Sequence, residues 1–203
     1  MLTIRNETQA DRQAVEEITR RAFYNIYAPG CVEHYLVHIM RDHPDFIPAL
    51  DLVAELDGQV IGNVMYTKAT LTGGDGTVKE ILTFGPVSIA PEHQRKGYGG
   101  QLLKHSFQRA AELGWDTVVI FGSPANYVGL GFKSCRRFSV CLEGGRFPSA
   151  MLVKELRGPW TAKAGCTGTA PSWPSTRRRP GGMTTHWSPW KRSTGPARKS
   201  FIS

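Results

Sequence analysis

The sequence predicts an α/β (α+β) domain, a mixed sheet with helices on both faces, and three observations carry that expectation. Leu52-Val53-Ala54-Glu55-Leu56, Asp57-Gly58 and Gln59-Val60-Ile61 form a hairpin pattern, because Asp-Gly suits a turn with positive φ. A long apolar run, 78–89, leads through a glycine-rich loop into an amphipathic segment, 97–113, and then a second apolar run, 117–121. That order is a strand–helix–strand crossover. The spacing of Val15, Ile18 and Ala22 marks a further helix ahead of the hairpin.

The elements follow in chain order. Leu2–Arg5 reads as a short strand. Thr8 or Asp11 caps a helix that runs to about Phe23. A second helix spans Val32–Met40, behind Pro29-Gly30. The hairpin strands cover 52–56 and 59–66, and Gly73-Gly74-Asp75-Gly76 makes the next turn. Val78–Ile89 is a long strand. Gly97–Leu113 is a helix that turns Leu102, Leu103, Phe107, Ala110 and Ala111 inward. Thr117–Phe121 is a buried strand and Ala125–Leu130 a short helix. Val140–Leu142 and Ala150–Leu156 are expected to close the sheet.

Composition sets a boundary near Arg157. Of the 25 basic residues in 203, eight fall in 158–203, where no acid occurs; the remaining 17 balance the 17 acids of 1–157. The net charge of +8 therefore belongs to the tail, and the globular part gives no reason to expect nucleic acid. The tail lacks Leu and Val, holds four of the five tryptophans, and has no periodic apolar face with which to dock. Three readings stand for it: a disordered basic Pro/Trp/Arg-rich extension, a nucleic-acid-binding segment through Arg177-Arg178-Arg179 with Trp173, Trp187 and Trp190, or a C-terminus read in a shifted frame of GC-rich DNA. The expected division is a domain over 1–157 and a tail over 158–203. No apolar run reaches membrane-spanning length, and the N-terminus does not read as a signal peptide, so a cytoplasmic protein is expected. Cys31, Cys135, Cys141 and Cys166 are scattered, with no Cys-x-x-Cys pair, so neither a disulfide frame nor a metal site is expected.

The chemistry concentrates at Gly85–Leu103. A strand enters a loop, Gln94-Arg95-Lys96-Gly97-Tyr98-Gly99-Gly100, and the loop opens a helix. The first N–H groups of a helix have no intrahelical partner, and the helix dipole adds positive potential, so such a loop suits an anion. A Walker loop would need Gly-Lys-Ser/Thr, and a dinucleotide fingerprint would need glycine where Leu102 stands. Neither is present.

The stretch Gln94-x-x-Gly97-x-Gly99 resembles the acetyl-CoA signature of the GNAT N-acetyltransferases. Gly122-x-Pro124-x-x-Tyr127-x-x-x-Gly131-Phe132 resembles an element of its YhbS-like branch, with Asn126 and Leu130 standing where that branch often has aromatics. The resemblance covers about residues 1–157 and implies the GNAT fold, a mostly antiparallel mixed sheet splayed between its fourth and fifth strands. It implies acetyl-CoA as co-substrate. The pantetheine arm would lie on the backbone of Val87, Ser88 and Ile89, and the pyrophosphate on Arg95, Lys96, Gly97, Tyr98, Gly99 and Gly100, with Asn126 alongside. Tyr127 would be the general acid that protonates the departing thiolate. Glu80 or His93 would take the proton from a small-molecule or peptide amine. The other reading kept is a GNAT module that binds acyl-CoA without catalysis, and a monomer or homodimer fits either. Glu55, Cys31 and the pair His34/His38 are weaker candidates for chemistry, the last without the third ligand a metal requires.

Overall fold

Alternation along the strands sends neighbouring residues to opposite faces of one seven-stranded sheet. Leu52, Ala54, Val64 and Tyr66 pack on one face; Val53 and Met65 pack on the other. The fold is that of a computed structural model, which describes residues 1–26, 29–142 and 144–158. The expectations for the tail fall almost wholly outside those residues.

The strands are β1 (Leu2–Asn6), β2 (Leu52–Leu56), β3 (Gln59–Thr72), β4 (Val78–Ile89), β5 (Thr117–Phe121), β6 (Lys133–Ser134) and β7 (Met151–Glu155). Their order in the sheet is β1-β2-β3-β4-β5-β7-β6, and every pairing is antiparallel except β4 with β5. The helices are α1 (Arg12–Phe23), α2 (Glu33–Met40), α3 (Tyr98–Glu112) and α4 (Pro124–Tyr127). One face is covered by α3 through Leu102, Leu103, Phe107 and Ala110. The other is covered by α1 and α2 through Val15, Val37 and Met40.

Turn chemistry sets the register. Asp57 and Gly58 both have positive φ, 49° and 85°, the twist that a two-residue hairpin needs. At the β3–β4 turn the Asp75 carboxylate accepts from the Thr77 backbone N–H at 3.0 Å and from its hydroxyl at 2.6 Å. Asp11 accepts from the backbone N–H and hydroxyl of Thr8, at 2.8 and 2.7 Å, and ends a 3-10 turn that leads into α1.

Three expectations change. The second hairpin strand runs on to Thr72. The helix expected at 125–130 is split into α4 and a 3-10 turn over Val128–Leu130, stopped by Gly131 at φ 89°. Val140–Leu142 is not a sheet strand. Val140 and Cys141 are buried, but Ser139 at φ 54° turns the chain back, and the Val140 N–H bonds the Cys135 carbonyl at 3.0 Å. The short alternation there marked burial, not pairing, and β6 takes the edge beside β7 instead.

Candidate active site in the splay between two strands

The site begins where β4 leaves its neighbours. On one side it pairs with β3 as Tyr66↔Phe84 and then as Val64↔Val87, so β4 spends one more residue than β3 across the interval. That is a β-bulge at Gly85-Pro86, with Gly85 at φ 147° and a cis peptide between the two. A Gly-Pro step inside a strand is the sequence signal for such a bulge. On the other side β4 pairs with β5 at the single position Leu82↔Val118. Beyond Leu82 no further ladder pair joins the two parallel strands, and the β4 edge from 83 to 89 has no strand partner on that side among the described residues.

Val87, Ser88 and Ile89 form that edge. Their side chains are engaged elsewhere: Ser88 Oγ lies 3.0 Å from Thr19 Oγ1 of α1, Ile89 is core, and Val87 packs beside it. What these residues present on that side is backbone.

The glycine loop closes the same end of the sheet. Gln94 turns its side-chain amide back to donate to the Ile89 carbonyl at 2.9 Å, which ties the loop to β4. Arg95 at φ 62° and Gly97 at φ 82° fold the chain into the start of α3, with Gly97 as the N-cap. The first helical bond runs from the Gln101 N–H to the Gly97 carbonyl at 3.1 Å, so the amides of Tyr98, Gly99 and Gly100 precede it. A Cβ at Gly97 or Gly100 would meet nothing within 4 Å, so the surface above these amides is open. Arg95 and Lys96 are exposed beside it. The arrangement fits a phosphate group: free amides, the positive end of a 15-residue helix, and two cations.

Tyr127 stands on α4 at the far wall of the splay. Its ring lies against Phe84, the last residue before the bulge, at 5.9 Å between centroids, and against Phe132 at 5.6 Å. Phe84 in turn meets Tyr66 at 5.2 Å. The buried Tyr66 hydroxyl is 2.7 Å from Ser106 Oγ, which donates to the Leu103 carbonyl at 2.8 Å. Burial pushes the Tyr66 phenol well above the usual range, so it stays neutral. Asn126 neighbours Tyr127, and its Oδ1 is buried with no hydrogen-bond partner among the described residues. That orphaned acceptor fits a ligand amide or hydroxyl.

The two proton-acceptor candidates lie on different elements, β4 and the 3-10 turn ahead of the glycine loop. Glu80 is exposed on β4 opposite Thr70, five residues before Gly85, or roughly 16 Å along an extended strand. His93 sits on the 3-10 turn Pro91–His93, its ring 6.1 Å from Tyr98, at the glycine loop. Of the weaker candidates, Glu55 pairs with Arg5, and His38 Nδ1 lies 3.0 Å from Glu16. The Cys31 Sγ donates to Glu33 at 3.3 Å, and burial raises its thiol. Among the described residues no group of three His, Cys, Asp or Glu side chains could hold a metal, and no helix is long and apolar enough to cross a membrane.

Residues that the sequence reading missed complete the frame. Lys154 of β7 donates to the Leu130 carbonyl at 2.8 Å, its ammonium 5.1 Å from the Phe107 ring centre, and so holds the turn after α4. Burial lowers its pKa. Thr19 reaches β4 from 69 residues away, and no local pattern announces it.

A mixed sheet with one parallel pair that parts beside a bulge, followed by a glycine loop that starts a helix, is the fold of an acyl-CoA transferase class, and the family match agrees. The chain belongs to the GNAT acetyltransferases: residues 3–135 match the family model described as an acetyltransferase (GNAT) domain. It is 30% identical over 128 residues to the uncharacterized N-acetyltransferase YjhQ of Escherichia coli K12, covering 63% of this chain and 67% of that protein. It is also 30% identical over 133 residues to YhbS of the same organism, covering 65% and 74%. The crystal structure of E. coli YhbS with CoA superposes with a TM-score of 0.70 at 25% identity, over 83% of this chain and 88% of that one. A GNAT acetyltransferase from Brucella melitensis in complex with acetyl-CoA gives 0.64 at 26%, over 81% and 93%.

Proposed function

We infer that this protein transfers an acetyl group from acetyl-CoA to a primary amine, by direct attack in a ternary complex. One observation carries the reading: the bulged, unpaired edge of β4 leads directly into the open amides at the start of α3. A pantetheine arm needs the first and a pyrophosphate the second. The CoA and acetyl-CoA complexes of the two similar structures support it.

Bound acetyl-CoA supplies the thioester, and the chain supplies the surroundings. Backbone N–H groups at 87–89 orient the pantetheine and donate to the carbonyl oxygen as negative charge grows on it. The amine nitrogen attacks the carbonyl carbon, the C–S bond breaks, and the Tyr127 hydroxyl gives its proton to the leaving sulfur, while the extra proton on the nitrogen passes through water to the Tyr127 phenolate and restores the phenol. Holding both substrates in line contributes much of the rate. The amine enters as free base, its ammonium proton lost to Glu80 or His93 directly or through water.

The exposure of Glu80 favours a second reading, an acyl-CoA-binding module without turnover. Calorimetry with acetyl-CoA, followed by thiol release across a panel of primary amines, separates the two. Binding with turnover supports the transferase, binding without turnover supports the module, and absence of binding overturns both.

A further inference from the structure

Gly122 is explained by no backbone requirement. Its φ lies outside the left-handed region, whereas ten other glycines of the described chain have positive φ. It follows β5, and its N–H donates to the carbonyl of Ala150, the residue before β7, at 2.9 Å, which holds its position. What it lacks is the room for a side chain. The three nearest heavy atoms to a Cβ built there all belong to the Tyr127 ring, with Cδ2 at 2.8 Å and Cε2 closer still. Contacts below 3.0 Å are not sustained in proteins, so any Cβ would displace the ring.

The ring is partly exposed and packs on its inner side against the core. Phe84 and Phe132 hold it at 5.9 and 5.6 Å between centroids. The helix that carries it starts two residues after Gly122, at Pro124, and the Asn126 N–H bonds the Ser123 carbonyl at 2.9 Å. Chain on one side and aromatic rings on the other leave one slot, and the floor of that slot is the bare Cα of Gly122.

We propose that Gly122 is a positioning residue for Tyr127: it is the seat on which the phenol ring rests, and so it fixes where the hydroxyl stands. The role rests on the acetyl-transfer reading, because seating matters to rate only if Tyr127 is the proton donor. A methyl group at 122 pushes the ring against Phe84 and Phe132 and moves the hydroxyl off the line to the leaving sulfur. Displacements of about 1 Å at a reacting group cost on the order of 100-fold in rate.

The test uses the full chain with Gly122→Ala, Tyr127→Phe and the double variant. Acetyl-CoA affinity is measured by calorimetry, and thiol release is followed with spermidine, phenethylamine, lysine and a peptide α-amine. Gly122→Ala is expected to lower kcat at least tenfold with acetyl-CoA affinity within about twofold of wild type. Added to Tyr127→Phe, it should lower kcat no further, because the proton donor is already gone. A purely structural glycine would instead depress both backgrounds by the same factor, which overturns the proposal, as does an unchanged kcat for Gly122→Ala beside a slow Tyr127→Phe. A crystal structure of Gly122→Ala keeps the question decidable without turnover: the Tyr127 ring is expected to shift, and an unmoved ring overturns the seat. Should Tyr127→Phe turn over normally, the proton-donor reading fails, and the seat is then judged by the ring position alone. If Gly122→Ala is too unstable to assay, Tyr127→Leu is combined with it. Recovered stability supports the clash with the ring, and unrecovered stability overturns it.

Discussion

Thr19 Oγ1 and Ser88 Oγ lie 3.0 Å apart, both fully buried, and join the middle of α1 to β4 directly beside the bulge. Either hydroxyl can donate, and neither has water to turn to. The bond fixes the strand whose backbone faces the splay. Thr19→Val keeps the shape and removes the partner, leaving the Ser88 hydroxyl buried alone. The expected cost is about 1–3 kcal/mol in urea unfolding. Unchanged stability would show that Ser88 finds another partner.

Gly100 is the third residue of α3, and a Cβ there meets open space. Gly100→Asp should leave the melting temperature unchanged or raised, because an acidic side chain suits the first turn of a helix. It places a carboxylate where a pyrophosphate would sit, and like charges about 4–6 Å apart repel by roughly 1–4 kcal/mol near a surface. Calorimetry should show CoA binding at least about tenfold weaker. Wild-type affinity would remove the phosphate from this loop.

Tyr127→Phe keeps the ring packing on Phe84 and Phe132 and removes only the hydroxyl. CoA affinity should hold while kcat falls by about 10²–10⁴-fold. An equal kcat, with chemistry rate-limiting, would make Tyr127 a packing residue.

Asp51 and Glu7 form a buried acid pair near the start of β2. Asn63 Nδ2 donates to Asp51 at 3.2 Å, and Arg41, itself buried, donates to Glu7 at 2.8 Å and to Glu16 at 2.8 Å. Burial, reinforced by the neighbouring Glu7 charge, pushes Asp51 up to about 8, and burial raises Glu7 as well. A carboxyl raised in the folded state contributes stability below its unfolded pKa, near 4, and loses it as pH climbs through about 8. Asp51→Asn mimics the protonated acid at every pH. Thermal melts at pH 5, 7 and 9 should show the variant gaining on the wild type as pH rises, ending about 3 °C or more above it at pH 9. A constant difference across the three would place the shared proton elsewhere.

Among the described residues the last strand, β7, is followed by Leu156, whose N–H donates to the Asp116 carbonyl at 2.8 Å. Truncation after Arg157 should therefore leave acetyl-CoA affinity within about twofold and the unfolding transition single and cooperative. Loss of binding would move the domain boundary into the tail.

The sequence by itself determined the element order, the hairpin at Asp57-Gly58, the bounds of β4 and β5, and the glycine loop that starts α3. Each depends on local causes: alternation, positive φ, helix periodicity and unpaired amides act within a few residues of one another. It also gave the spacing of Tyr127 to Gly131-Phe132. Local pattern misled at Val140–Leu142, where apolar residues are buried without joining a ladder, because burial and strand pairing are separate requirements. The places of Glu80 near the outer end of β4 and of His93 just ahead of the loop follow from the same local bounds. Only the tertiary structure showed Thr19 meeting Ser88 and Gly122 lying under the Tyr127 ring. These contacts depend on how α1 crosses β4 and how α4 folds back onto the end of β5, and packing of that kind is fixed by the whole core at once.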